Sequence, residues 1–596
     1  MDNKNEIINQ VADLIAKGKF DEAATLLEKI NFEAENDIEL IKNLGLCHIN
    51  LKNYNKAKAA FEKACKINNN DATALYYLAN CDDKLGFEDE AIKEYEKVIE
   101  LRNEFFDAYK NLSVILMRQG QYEKITEMLK PVLEIKTDDY LLYYIFATAN
   151  VSLNRHDLAI EPLKKAIELK PDHLQIQNNL ASSYIALNQL ENAKLILDSA
   201  LMQDKNLPLT NYNLGLFYQI KGEYKKAFNY FNIAYKKEPS VSLMATLAYC
   251  AWRAGIYELA ISLYRSLIAI TPDKLNYRNN LLSLLIEVKN YTEALKVVKE
   301  LLKFNPNGVD LQKKEASLLR LTGSSQNAIE VLNSLIKRGK IDVEIYYNLA
   351  LCYINTEDLE SAKDAFRKCI ALEPHNPFVR KDLGLLYLKM NMADWALDEL
   401  KQAVELEENE PEIVFAYAVS LNKTNNFDKA DKYYQRAVSL NPQNADYIAH
   451  WGENLISQSK IEQGLEKLQE AIKINPKNYI ALYNLAKVYF SQNKYSVAKQ
   501  ILEDILSMNK DPEILNMLAL CYLKTKDYKA ACAIFEKLAK DFPKNHILLC
   551  NLGECYLNLK EFDKAKKAAD EALLLFSDYD EALKIIKEVE KQNDTE

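Results

Sequence analysis

Ten cysteines and six histidines are the residues of this 596-residue chain best suited to metal ligation or nucleophilic chemistry. Their spacing argues against both. No C-x-x-C pair and no H-E-x-x-H occurs, so zinc is not expected. No phosphate-cradling glycine loop, dinucleotide fingerprint or G-x-S-x-G elbow is present. Six cysteines (Cys47, Cys81, Cys250, Cys352, Cys521 and Cys555) instead recur at one place in a repeating pattern. They read as reduced, buried small hydrophobes. His48 stands where other copies of the pattern have Tyr218, Tyr353 or Tyr489, so it too reads as core. No catalytic residue, metal site or cofactor is expected, and the chain is not expected to be an enzyme. What does recur with chemical potential is the amide. Asn9, Asn43, Asn111, Asn179, Asn213, Asn280, Asn348, Asn484 and Asn551 share one position of the pattern. A carboxamide offers donors and an acceptor together.

The elements that place these residues are set by a period. An alanine follows each mid-unit turn, as Ala23, Ala57, Ala91, Ala159 and onward to Ala565, with Ile125 and Gly464 filling two places. This gives 17 units from about Lys4 to Tyr579, in fourteen steps of 34 residues and two of 33. Counting this alanine as position twenty, position eight is small in fifteen units, for example Gly45, Ala79, Gly215 and Gly384. Position seven is mostly leucine. Position twenty-four is often aromatic, as in Phe61, Tyr95, Phe231 and Phe366. Position thirty-two is often proline, as in Pro171, Pro272, Pro442 and Pro543. Apolar residues at four, seven, eight and eleven make one stripe of a first helix, and those at twenty, twenty-four and twenty-seven a stripe of a second. Small residues at eight and twenty let the backbones approach, and a larger side chain there overpacks by about 1–3 kcal/mol. Proline stops the second helix. One hairpin cannot bury both stripes, so hairpins must stack.

This pattern resembles the tetratricopeptide repeat family over nearly the whole chain. The resemblance implies an all-α fold: an α-solenoid, a right-handed superhelix of stacked antiparallel helix pairs. The expected domains are a continuous array over 4–579 and a C-terminal capping helix with a frayed tail over 580–596. The capping stripe is expected at Ala582, Leu583, Ile586 and Val589. The family builds its concave wall from positions two, five, six, nine, twelve and thirteen. The asparagines at position six (Asn43, Asn111, Asn179, Asn213, Asn280, Asn348, Asn484 and Asn551) would then line a groove. They resemble the asparagine ladder in the repeat region of O-linked N-acetylglucosamine transferase. Position five is tyrosine in some units (Tyr76, Tyr144, Tyr212, Tyr347 and Tyr483) and lysine in others (Lys42, Lys110, Lys313 and Lys381). Tyr77, Phe106, Leu141 and Ile145 add apolar area to the same wall, and such patches mark partner sites. An alternative is that the rings only pack on neighbouring helices. The carboxylate clamp that co-chaperone members use on chaperone tails is not expected, because Lys42 is followed by Leu46 and Lys110 by Val114 where the clamp needs asparagine.

Composition bounds the partners. The formal net charge is −10 with 27% charged residues, which disfavours nucleic acid. The opening residues lack a basic segment followed by an apolar one, and "YLLYYIFATANV" is too short to span a bilayer, so no secretion signal or membrane insertion is expected. A cytoplasmic location is expected. The function expected is a scaffold or adaptor that holds an extended or helical segment of other proteins or peptides in the concave groove. Two alternatives remain: a structural subunit or homo-oligomer of a larger assembly, and an accessory subunit presenting substrate to a separate enzyme. Flexibility is expected at the 33-residue steps near Ser240 and Asp511 and at "KRGKID" (337–342).

Overall fold

The computed structural model describes residues 2–29, 37–134, 138–506 and 511–593. Among them every regular element is an α-helix, 35 in succession from Asp2–Ala16 to Asp580–Asn593. Among the described residues no helix is long and apolar enough to cross a membrane. The protein is an all-α solenoid built from antiparallel helix hairpins. It divides into two compact units, Met1–Asn290 and Tyr291–Glu596. Each helix is named here by its first residue.

Within a hairpin the mid-unit turn has one geometry. The first helix ends in a residue with left-handed backbone, after which an N–H returns to the carbonyl five residues back, as Glu223 does to Tyr218 at 2.9 Å. Gly222 holds that place at φ 75°, but Lys52, Asn188, Glu357 and Lys560 hold it elsewhere at φ 56–66°. The sequence carries no glycine signal at those turns, and the hairpin closes regardless.

Close approach of the two helices explains the small residues. A Cβ added at Gly45 would lie 2.6 Å from the ring of Phe61, and one at Gly215 2.6 Å from the ring of Phe231. Both rings are fully buried. The six cysteines of the repeating pattern are buried as well, and burial pushes the thiols of Cys81, Cys250 and Cys555 up to about 12. His48 is 3% exposed, and burial lowers its pKa.

Successive hairpins are tied by two devices. Lys42 pairs with Asp71 at 3.0 Å, Lys110 with Asp139 at 2.8 Å and Lys313 with Asp342 at 3.1 Å, each 29 residues on. Each aspartate also caps the next first helix. Asp71 accepts from the N–H groups of Thr73 and Ala74. Burial acts to raise the pKa of Asp71, but the Ala74 N–H and the Lys42 ammonium outweigh it and hold the carboxyl low. At three of the five position-five tyrosines, the hydroxyl reaches the residue 35 on. Asn111 donates to Tyr76 at 3.1 Å, Asn179 donates to Tyr144 at 3.3 Å, and Tyr347 donates to Asp382 at 2.7 Å.

The last helix, Asp580–Asn593, buries Ala582, Ile585 and Val589 against Ala565, Ala569 and Ala572. The expected stripe is corrected by one residue: Leu583 is 38% exposed and Ile585 takes its place, because residues 582, 585 and 589 recur at i, i+3 and i+7 on the one helix face that meets the preceding hairpin. The last residues of the expected capping helix and frayed tail, 594–596, and residues 507–510 at the second 33-residue step lie outside the described residues.

Candidate functional site

The six wall positions are the second, fifth, sixth, ninth, twelfth and thirteenth residues of each first helix. In the first unit the helices Tyr140–Ser152, Leu174–Ala186, Pro208–Ile220, Val241–Arg253 and Leu275–Glu287 follow one another. Their thirty wall residues include two charged ones, Arg253 and Glu287. The eight first helices of the second unit carry sixteen charged residues at forty-eight such places, including Lys313, Lys314 and Arg320 on the Val309 helix alone.

The Leu174 and Pro208 helices pack on one another, but the Val241 helix makes no comparably close approach to the Pro208 or the Leu275 helix. Its entry turn, Glu238–Ser240, is one residue shorter than the turn Asp204–Leu207 before it. Two clefts flank it. One, of about 380 Å³, is lined by Leu209, Tyr212, Glu238, Ser242 and Leu243. The other, of about 450 Å³, is lined by Gln219, Ser242, Ala245, Thr246, Tyr249, Asn276 and Asn280. Ala245 occupies the place that a tyrosine or lysine fills elsewhere, so the second cleft stays open.

The second cleft is polar, and Lys274 among its lining residues brings a charge. Thr246 donates its hydroxyl to the carbonyl of Ser242 at 3.2 Å, which leaves its oxygen lone pairs to accept. Gln219 accepts a weak bond from Cys250 through its oxygen at 3.7 Å, which leaves its N–H groups to donate. Asn280 lies beside Tyr264, whose hydroxyl is pushed by burial up to about 12, with the Asn280 bond pulling the other way. Burial, then the neighbouring Tyr224 hydroxyl, raises Tyr249, so it stays protonated and can donate. Tyr249 stands edge-on to Tyr224 at 6.0 Å and to Trp252 at 6.4 Å. The two charged wall residues, Glu287 and Arg253, are engaged. Glu287 accepts from the Trp252 indole at 2.8 Å, and Arg253 lies 5.3 Å from the centre of the Tyr224 ring.

The proposed row of amides is not uniform. Asn213, Asn348 and Asn484 are buried and spend their N–H groups on the Asn178, Glu344 and Ile480 carbonyls, so they are withdrawn from the wall. Asn111 is committed to Asn80, Tyr76 and Tyr95, and Asn179 to Tyr144. Asn43, Asn280 and Asn551 are half-buried, and of these Asn280 lines a cleft. Ile145 is buried at 5% exposure and is likewise withdrawn. Tyr77, Phe106, Leu141 and Tyr483 are half-buried, as are Tyr76, Tyr144 and Tyr347. Most position-five rings are also packed: Tyr76 on Tyr95, Tyr212 on Phe231 and Tyr347 on Phe366, edge to face at 5.6–5.9 Å. Tyr212 keeps 36% exposure because the shortened step puts Thr246 and not an asparagine at position six of the next unit. Reading the sequence missed Gln219, Ser242, Thr246, Tyr249 and Asn276. The available signals were the 33-residue step and Ala245.

No group of three or more His, Cys, Asp or Glu residues is placed to hold a metal ion among the described residues.

Sequence profiles described as tetratricopeptide repeat match residues 38–71, 151–209, 212–274, 343–376, 411–444 and 455–521. A profile described as anaphase-promoting complex, cyclosome, subunit 3 matches 501–572. No curated protein matches. Among solved structures, the chain is similar to one titled Naa15/Naa10 bound to HypK-THB, at 13% identity and TM-score 0.34, covering 100% of this chain and 97% of the other. It is similar to the APC/C hetero-tetramer Cut9–Hcn1 at 14% identity and TM-score 0.33, covering 93% and 96%. It is also similar to YrrB, titled a TPR protein with an unusual peptide-binding site, at 24% identity and TM-score 0.28, covering 31% and 96%.

Proposed function

Because the chain belongs to the tetratricopeptide repeat family, we propose that it is a protein-interaction scaffold without catalytic activity of its own. Its partner segment lies extended along the first helices of the first unit. The observation carrying this reading is the pair of clefts on either side of the Val241 helix, which put hydroxyls, amides and aromatic rings within reach of a passing chain. A tyrosine edge and a carboxamide contribute differently. Tyr212 and Tyr249 supply apolar area, and each direct amide bond adds about 0.5–1.5 kcal/mol. The lysines of position five are spent, Lys42, Lys110 and Lys313 on Asp71, Asp139 and Asp342 and Lys381 on Glu412, which weighs against a carboxylate clamp.

The test combines Tyr212→Ala, Tyr249→Ala and Asn280→Ala. Peptides selected on the full chain should bind this variant at least tenfold more weakly, with unchanged helicity by circular dichroism. Undiminished binding would remove the site assignment.

A second reading, a fixed role in a larger assembly or a homo-oligomer, rests on a separate observation. Leu195 and Met202 stand 72% and 84% exposed, seven residues apart on one face of the Leu190 helix. A mass above 68.4 kDa by light scattering, lost in Leu195→Ser/Met202→Ser, supports it.

A further inference from the structure

We propose that the segment held by this groove is an extended stretch of a partner protein that carries a basic and an acidic side chain about three to four residues apart, the basic one in the first cleft and the acidic one in the second. The inference rests on the groove reading above and deepens it by naming the occupant's chemistry.

Each cleft has one charged lining residue, and the two are opposite in sign: Glu238 in the first and Lys274 in the second. Both side chains are exposed, and among the described residues neither is held by an ion pair or a side-chain hydrogen bond. Their chain neighbours of opposite sign, Lys237 and Asp273, line neither cleft. Helix stability does not account for the two charges. Lys274 stands at the N-cap of the Leu275 helix, where it makes no cap bond and where the helix dipole disfavours a cation. Glu238 stands at the C-cap of the Tyr224 helix, the end at which the dipole disfavours an anion. A cation arriving at the first site and an anion at the second would each be drawn by side chain and helix end together. The remaining lining residues suit the same pair. In the first cleft the stem of a lysine or arginine can lie along Leu209, Tyr212 and Leu243 with its head at Glu238. The Tyr212 ring, 36% exposed, attracts a cation that comes within about 6 Å of it. In the second cleft Gln219, Asn276 and Tyr249 bring N–H and O–H donors beside the Lys274 ammonium, a set that matches a carboxylate. The clefts lie on either side of one helix, about 10–12 Å across with its side chains. An extended chain covers that distance in three or four residues at about 3.3 Å each.

The experiment selects random twelve-residue peptides displayed on phage against the intact chain, and against the Tyr212→Ala/Tyr249→Ala variant. Peptides that need the two tyrosines should carry a lysine or arginine three or four positions from an aspartate or glutamate, at more than twice the library frequency. Their binding should weaken severalfold between 50 and 500 mM NaCl, because salt screens both pairs. Changing the peptide's basic residue to glutamate should weaken binding to the intact chain about tenfold, and Glu238→Lys in the protein should recover most of that loss. Changing its acidic residue to lysine should do the same, with recovery by Lys274→Glu. Tyrosine-dependent peptides without such a pair, or a loss that the matching charge reversal does not recover, would overturn the charge pairing and leave the groove standing. Enrichment of no tyrosine-dependent peptide would overturn the groove reading and this inference together.

Discussion

Gly215 offers a test of the hairpin packing in which the sign of an effect should reverse. It sits in the middle of the Pro208 helix, where alanine is intrinsically better than glycine by about 1 kcal/mol. An alanine Cβ would nonetheless lie 2.6 Å from Cδ1 and Cε1 of Phe231 and 2.8 Å from Cγ. That ring is fully buried and held edge-on by Tyr212 at 5.6 Å, so it cannot swing aside freely. Relieving such an overlap costs about 1–3 kcal/mol. The net expectation for Gly215→Ala is therefore a loss of about 1 kcal/mol. In a Phe231→Ala background, itself about 3–5 kcal/mol less stable, the obstruction is gone. Gly215→Ala should then stabilise by about 1 kcal/mol, giving a coupling of about 2 kcal/mol between the two sites. Long repeat arrays do not unfold in one transition, so global melts are the wrong assay. Amide hydrogen exchange by mass spectrometry over the Pro208 helix reads the local opening free energy. A Gly215→Ala effect of the same sign and size in both backgrounds would refute the packing argument.

Three further outcomes are expected. Glu357 holds a left-handed backbone at φ 61°, so Glu357→Gly should stabilise the surrounding hairpin by about 1 kcal/mol, read as slower exchange in the Val343 and Leu359 helices. Asp71→Ala removes both the cap of the Ala72 helix and the partner of Lys42, and should cost more than Lys42→Met, at about 2 against 1 kcal/mol, in chemical denaturation followed by exchange. Burial, with Asp82 beside it, pushes Glu94 up to about 8. Glu94 therefore binds a proton in the folded chain that it releases when unfolded, and the stability this provides is complete below pH 4.5 and lost as pH rises through 8. Local exchange of the Glu88 helix should show falling protection between pH 5 and 9, after correction for intrinsic rates, and Glu94→Gln should flatten that trend.

The period, the small residues and the buried cysteines were legible in the sequence because side-chain volume at a helix contact is tightly bounded, and a wrong size is felt at once. The lysines of position five were less legible, since each takes its role from an aspartate 29 residues away. Lysine at five with aspartate at thirty-four is the pattern to read, as in Lys42 and Asp71, Lys110 and Asp139, and Lys313 and Asp342. The amides were misread in part because position six lies at the edge of the wall. A small rotation of each first helix decides whether the carboxamide faces out, as at Asn280, or in, as at Asn213, Asn348 and Asn484. The clefts beside the Val241 helix came from one missing turn residue and one alanine. A length count registers that change but does not turn it into geometry.

The central claim, that the wall around the Val241 helix holds a partner segment, is tested most directly by photocrosslinking. A selected twelve-residue peptide carrying a diazirine at its centre is bound to the intact chain, irradiated and digested. Adducts on the Pro208, Val241 and Leu275 helices, at residues such as Tyr212, Thr246 and Asn280, are the predicted result. Adducts confined to the second helices or to the second unit would contradict the account.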